Sequence, residues 1–119
     1  MPIIFYGLKA CDTCRKARKE LEIAGVDYTY RDVRDDGVTS ADVTRWTKAL
    51  DGEAGWEKLV NKSSTTWRGL DAAEKEGLNE SKAAKMLVAH PTLLKRPLIE
   101  RDGDVFVGWT SETKAALLG

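Results

Sequence analysis

Ile3-Ile4-Phe5-Tyr6-Gly7-Leu8-Lys9-Ala10-Cys11-Asp12-Thr13-Cys14 is the stretch that decides the architecture. Its first four residues form a short β-rich apolar run ended by Gly7, which predicts a strand buried on both faces and central in its sheet. After Leu8-Lys9-Ala10, the segment from Asp12 to Ala24 carries Ala17, Leu21 and Ala24 at helical spacing and stops at Gly25, a suitable residue just past a helix end. Val26 to Val33 then alternates with period two. The opening third therefore reads as strand, helix, strand, and a crossover of this kind places the two strands parallel.

A C-x-x-C consequently falls at a strand-to-helix junction. A thiol reacts as its thiolate, and the amino end of a helix favours the thiolate through unpaired N–H groups and the positive end of the dipole. Arg15, Lys16, Arg18 and Lys19 add positive potential at a helix start, where they oppose the dipole and cost stability; Asp12 acts in the other direction. Such a local conflict marks a place where chemistry rather than folding selected the residues. Cys11 is the candidate nucleophile. Cys14, one turn on, is the candidate resolving thiol that attacks a mixed disulfide formed at Cys11. The alternative is a pair of small residues packed under a helix start. No metal is expected, because a closed zinc site needs four ligands and the chain offers only two cysteines and His90.

The middle of the chain reads as a helical block over about 39–90. Thr39 and Asp42 approximate a capping box ahead of Val43, Trp46 and Leu50, and Gly52 and Gly55 break that helix. Trp56 to Val60 predicts a short helix, Asn61 to Arg68 a loop, and Asp71 to Lys75 more helix. Asn79 caps a further helix with Ala83, Met86, Leu87 and His90 on one face, closed by Pro91. Strand signals return at Leu98–Arg101 and Asp104–Val107, which flank Asp102-Gly103, a pair suited to a type I′ turn. Thr110 or Ser111 caps a last helix ending at Leu117-Leu118. The order is βαβ, several helices, ββα, read as one domain over 1–119.

At 119 residues the chain can bury a core without disulfide or metal staples. With 19 Lys plus Arg against 19 Asp plus Glu, no global field draws it to nucleic acid or an anionic membrane. No apolar run reaches the length of a membrane span, and the first residues lack the pattern of a signal peptide. A cytoplasmic location is expected, where a cysteine pair is more often catalytic or redox-sensing than a staple.

Lys95-Arg96-Pro97 precedes the hairpin. Proline is tolerated as a strand's first residue, and its preceding bond can be cis or trans. Arg96 is either a ligand for an anionic substrate group or a solvated charge. His90 reads as a helix-terminal histidine rather than a catalytic one, and Trp46, Trp56 and Trp67 as core or interface anchors. Trp109, after Gly108 at the end of the last strand, either lines the cleft or packs.

Taken together, Tyr6-Gly7, Cys11-Asp12-Thr13-Cys14-Arg15-Lys16-Ala17-Arg18, Arg31-Asp32, Met86-Leu87 and His90-Pro91-x-Leu93-Leu94-Lys95-Arg96-Pro97-Leu98 resemble the ArsC/Spx family of glutaredoxin-type arsenate reductases and their relatives over nearly the whole chain. The resemblance implies an α/β, thioredoxin-like fold with a helical insertion. It matches Cys11 to the family nucleophile, Arg96 to the arginine beside it, and Pro97 to a cis-proline facing the cysteine. Arsenate reductases of this type place three arginines around the nucleophile; the positions matching the other two hold Asn61 and Trp109, while Arg68 stands at no matching position. The stretch Leu59 to Leu70 is closer to the YffB-like branch. The implied function is a thiol-disulfide oxidoreductase using glutathione as reductant or co-substrate, with Cys11, Cys14 and Arg96 catalytic and Pro97, Lys95, Asn61, Arg68 and Trp109 binding substrate. The alternatives are an Spx-like redox-sensing regulator that binds RNA polymerase, and an arsenate reductase proper.

Overall fold

A computed structural model describes residues 3–51 and 55–118. In chain order the elements are β1 (Ile3–Gly7), α1 (Asp12–Ile23), β2 (Thr29–Asp32), α2 (Val33–Asp36), α3 (Ser40–Asp51), α4 (Trp56–Leu59), α5 (Thr65–Arg68), α6 (Ala72–Lys75), α7 (Glu80–Ala89), a 3₁₀ turn (Pro91–Leu93), β3 (Leu98–Arg101), β4 (Asp104–Val107) and α8 (Ser111–Leu118). They form two compact units, 1–36 with 96–119, and 37–95.

The first unit is built on a four-stranded sheet in the order β2-β1-β3-β4. β1 pairs parallel with β2 and antiparallel with β3, so it is central, as its apolar run requires. Phe5 lies opposite Tyr30 on one side and Ile99 on the other, and Ile99 lies opposite Phe106. Ile3, Phe5 and Ile99 thus share a sheet face. There they join Cys14, Ala17 and Leu21 of α1 and Leu117 of α8 in one buried cluster. The fold is α/β.

The ends of these elements follow local chemistry. Beyond α1, Gly25 adopts φ +75°, a conformation that favours glycine, and the Val26 N–H returns to the Leu21 carbonyl. Asp102 and Gly103 both have positive φ, 51° and 86°, as a type I′ turn between β3 and β4 demands. Thr110 Oγ1 accepts the Thr113 N–H and starts α8. β2 is shorter than the alternating stretch Val26–Val33 suggests. At its start the Val26 N–H still belongs to the turn that closes α1, and at its end Asp32 Oδ1 accepts the N–H groups of Arg34 and Asp35 and turns the chain into α2.

The described elements of the second unit are α3 to α7 and the 3₁₀ turn. Thr39 and Asp42 exchange backbone-to-side-chain hydrogen bonds of 3.0 and 3.1 Å, the reciprocal capping expected ahead of α3. The break after α3 attributed to Gly52 lies outside the described residues. Asn79 Oδ1 accepts the Lys82 N–H at 2.9 Å and caps α7, whose Ala83, Met86 and Leu87 are buried. α4 ends at Leu59, one residue early, because Val60 forms an antiparallel bridge with Leu94. The loop expected over Asn61–Arg68 is corrected in its second half. Ser64 Oγ accepts the Trp67 N–H and nucleates α5, a single turn. Trp46 is fully buried, whereas Trp56 and Trp67 are half-buried, the latter with the Lys62 and Lys75 ammonium groups near its ring. Among the described residues no helix is long and apolar enough to cross a membrane.

Candidate active site

Cys11 occupies the N-cap of α1 with extended backbone, φ −86° and ψ 117°. In that conformation its side chain turns back over the first helical turn. Sγ accepts the Cys14 N–H at 3.3 Å, which puts sulfur where a capping serine or aspartate would place oxygen. One local and one long-range contact hold the approach to this cap. The Cys11 N–H bonds the Leu8 carbonyl at 3.0 Å, and the Lys9 N–H bonds Asp32 Oδ2 at 3.1 Å.

Burial alone would raise the Cys11 pKa. The balance nevertheless lies below the ordinary thiol value, because hydrogen bonds from the Cys14 thiol and backbone N–H, together with the charge and hydrogen bonding of the Arg96 guanidinium, favour the thiolate. Cys14 is the opposite case. Burial, donation of its S–H to Cys11 and proximity to that sulfur's negative charge push it up to about 12, against smaller lowering effects from the Leu8 backbone and Arg96. One thiol is poised to ionise and its neighbour holds a proton against it. Both cysteines are unlinked.

Cys14 Sγ lies over Gly7. A Cβ at that glycine would stand 3.2 Å from the sulfur and 2.8 Å from Phe5 Cε1, so the end of β1 needs a residue without a side chain for α1 to approach. The Arg96-Pro97 bond is cis. Pro97 is buried, and its carbonyl accepts the Gly108 N–H at 2.8 Å, which ties the start of β3 to the end of β4 just before Trp109. The Trp109 indole N–H donates to the Glu20 carboxylate on α1, and its ring packs against the buried cluster that contains Cys14.

Of the residues singled out by sequence, Cys14 and Arg96 are both brought against Cys11, and Pro97 and Trp109 belong to the same unit. Asn61, Arg68 and Lys95 belong to the helical unit. There the Asn61 side-chain oxygen accepts the Ser63 N–H, an Asx turn, and its backbone N–H bonds the Leu93 carbonyl. Arg68 and Lys95 are exposed, and the Lys95 N–H bonds the Leu59 carbonyl. His90 closes α7 with its Nε2 3.9 Å from a Glu74 carboxylate oxygen.

Sequence reasoning passed over Asp32 beyond its place at a strand end. It is buried, yet its carboxyl is held below the ordinary carboxylate pKa. Burial opposes ionisation, but N–H donors at Lys9, Asp35 and Arg34 and the Tyr30 hydroxyl outweigh it. The readable signal was an aspartate two residues before a polar turn, in the position of a helix cap.

Similarity to known proteins agrees with this construction. An uncharacterised protein of Haemophilus influenzae is 41% identical over 110 residues, covering 92% of this chain and 93% of that one. The global transcriptional regulator Spx 2 of Bacillus anthracis is 26% identical over 92% of this chain and 82% of its own. The solved structure of a YffB protein superposes with a TM-score of 0.88 at 38% identity, covering 98% and 99% of the two chains, and thereby places the fold among the thioredoxin-like ArsC and YffB proteins. The ArsC family model matches residues 6–117, and the chain belongs to the ArsC family.

Proposed function

We propose that this protein is a glutathione-dependent thiol-disulfide oxidoreductase in which Cys11 is the nucleophile. The observation that carries the reading is the Cys11 sulfur seated at the start of α1, accepting the Cys14 N–H and facing the Arg96 guanidinium. In the first step the Cys11 thiolate attacks a substrate disulfide R–S–S–R′. A Cys11–S–R bond forms, the original S–S bond breaks, and R′–S⁻ leaves and takes a proton from solvent. In the second step a thiolate, from Cys14 or from glutathione, attacks the mixed disulfide and expels the bound thiol. Once Cys11 is in a disulfide its negative charge is gone, and with it one of the causes that hold the Cys14 proton. Arg96 then serves an anionic substrate group such as a glutathione carboxylate. Pro97 and Trp109, in the unit that carries the cysteines, are the substrate-contacting candidates there, and the setting proposed is cytoplasmic.

A second reading is an Spx-like switch, in which a Cys11–Cys14 disulfide changes affinity for a protein partner such as RNA polymerase. The transcriptional-regulator relative and the contact between the two thiols favour it. Arsenate reduction is the third, and it would have to proceed with Asn61 and Trp109 where family members hold arginines. Coupled turnover of glutathione and NADPH with a small disulfide and with arsenate separates the three. Disulfide turnover lost in Cys11→Ser and partly kept in Cys14→Ser supports the proposal. Wild-type inactivity on both substrates, with oxidation-dependent capture of polymerase, replaces it with the switch.

A further inference from the structure

We infer that Asp32 is a positioning residue for Cys11, setting the thiolate's place on the helix by holding the β1–α1 loop from below. The inference rests on Cys11 being the reacting group. Asp32 sits directly opposite Gly7 in the parallel pairing of β2 with β1, where the loop leaves the sheet. Its two oxygens divide their work. Oδ1 accepts Arg34 and Asp35 N–H at 2.9 and 3.2 Å and starts α2, whereas Oδ2 accepts the Lys9 N–H at 3.1 Å and the Tyr30 hydroxyl at 3.3 Å.

Lys9 and Ala10 are exposed, between buried Leu8 and half-buried Cys11. Packing therefore does little to define the tip of the loop, and hydrogen bonds must do so. Cys11 N–H to Leu8 C=O closes the loop on itself, and Lys9 N–H to Asp32 fastens it to the sheet. The course of this loop decides where the Cys11 sulfur stands relative to the Cys14 N–H, which it accepts at 3.3 Å. The buried carboxylate, 6% exposed, thus serves a residue it does not touch. The surface ion pair of Lys9 Nζ with Asp35 acts on the same loop, but both groups are largely exposed and add little. Lys9, Arg34 and Asp35 meet Asp32 through backbone N–H groups, the titratable side chain against it is the Tyr30 hydroxyl, and the Arg18 guanidinium lies over the Tyr30 ring.

Asp32→Asn tests this. An amide whose oxygen keeps the two α2 donors turns its NH₂ toward the Lys9 N–H, donor against donor. Alkylation of reduced protein by iodoacetamide, followed against pH, gives the Cys11 titration midpoint. The expected result in Asp32→Asn is an upward shift of roughly one unit, the scale of one lost hydrogen bond to the thiolate. Asp35→Asn, which leaves the Lys9 N–H bond intact, and Val43→Ala, which lowers stability from within the 37–95 unit, should retain the wild-type midpoint. A folded Asp32→Asn with an unmoved midpoint overturns the inference, as do equal shifts in all three variants. If Asp32→Asn does not fold, amide exchange in the wild type decides: Lys9 N–H should exchange at least tenfold more slowly than Ala10 N–H, and equal rates overturn the inference. A wild-type midpoint at the ordinary thiol value would instead remove the proposed function, so the two failures are distinct.

Discussion

A single sulfur at a helix cap accounts for most of the chemistry offered by this chain. A serine in place of Cys11 could keep the cap, since a hydroxyl oxygen accepts the Cys14 N–H as well as sulfur does, but it would supply no thiolate. Cys11→Ser is therefore expected to melt close to wild type while losing disulfide turnover by at least a hundredfold, measured by coupled NADPH oxidation. Gly7 makes the complementary case. Gly7→Ala would press a methyl group into the Phe5 ring and Cys14 Sγ, both fully buried, and should cost about 1–3 kcal/mol in urea unfolding, with disordered reactivity at Cys11. The placement of Cys11 and Cys14 at a helix start was legible in the sequence because spacing and residue type declare it. The service of Asp32 was not, because its partners at Lys9, Tyr30, Arg34 and Asp35 meet only when β1 and β2 pair.

At the level of elements, caps and periodicity were reliable wherever a side chain closed its own helix. Asn79 before α7 and Thr39 before α3 are examples, as is the Asp102-Gly103 turn. α5 escaped notice because Thr65 and Thr66 are β-branched and weak helix formers, leaving the Ser64 cap as its one local signal. Its single turn also gains from outside: Thr66 and Thr92 hydroxyls meet at 2.7 Å, beside the 3₁₀ turn. The end of α4 was misjudged for a similar reason, since the Val60 bridge to Leu94 joins residues far apart in sequence. Asn79→Ala removes the acceptor for the Lys82 N–H. It should lower stability by about 1 kcal/mol in thermal melts while leaving the Cys11 alkylation profile unchanged.

For the whole molecule, the two thiols give stability a pH dependence with opposed signs. Cys11 loses its proton more readily folded than unfolded, so its contribution is complete above the ordinary thiol value of about 8.5 and is lost as pH falls through its lowered value. Cys14 is raised to about 12; its contribution is complete below the ordinary value and is lost as pH climbs toward that figure. Over the pH range just below the ordinary thiol value only the first changes. The melting temperature of reduced wild type relative to Cys11→Ser should accordingly rise across that interval, by differential scanning calorimetry under reductant; a constant difference would show that Cys11 does not ionise more easily in the folded chain. The sequence reads as one domain with a helical block over about 39–90, and the helical unit of the structure spans 37–95.

The bond from the Trp109 indole to Glu20 has an optical consequence. Three of the four tryptophans, Trp46, Trp56 and Trp67, lie in residues 37–95, and Trp109 alone lies in the part that carries the cysteines. Subtracting the emission of Trp109→Phe from that of the wild type isolates one fluorophore fastened to the helix that begins at Cys11. Its colour and lifetime would follow mixed-disulfide formation in real time, without a label attached to either thiol.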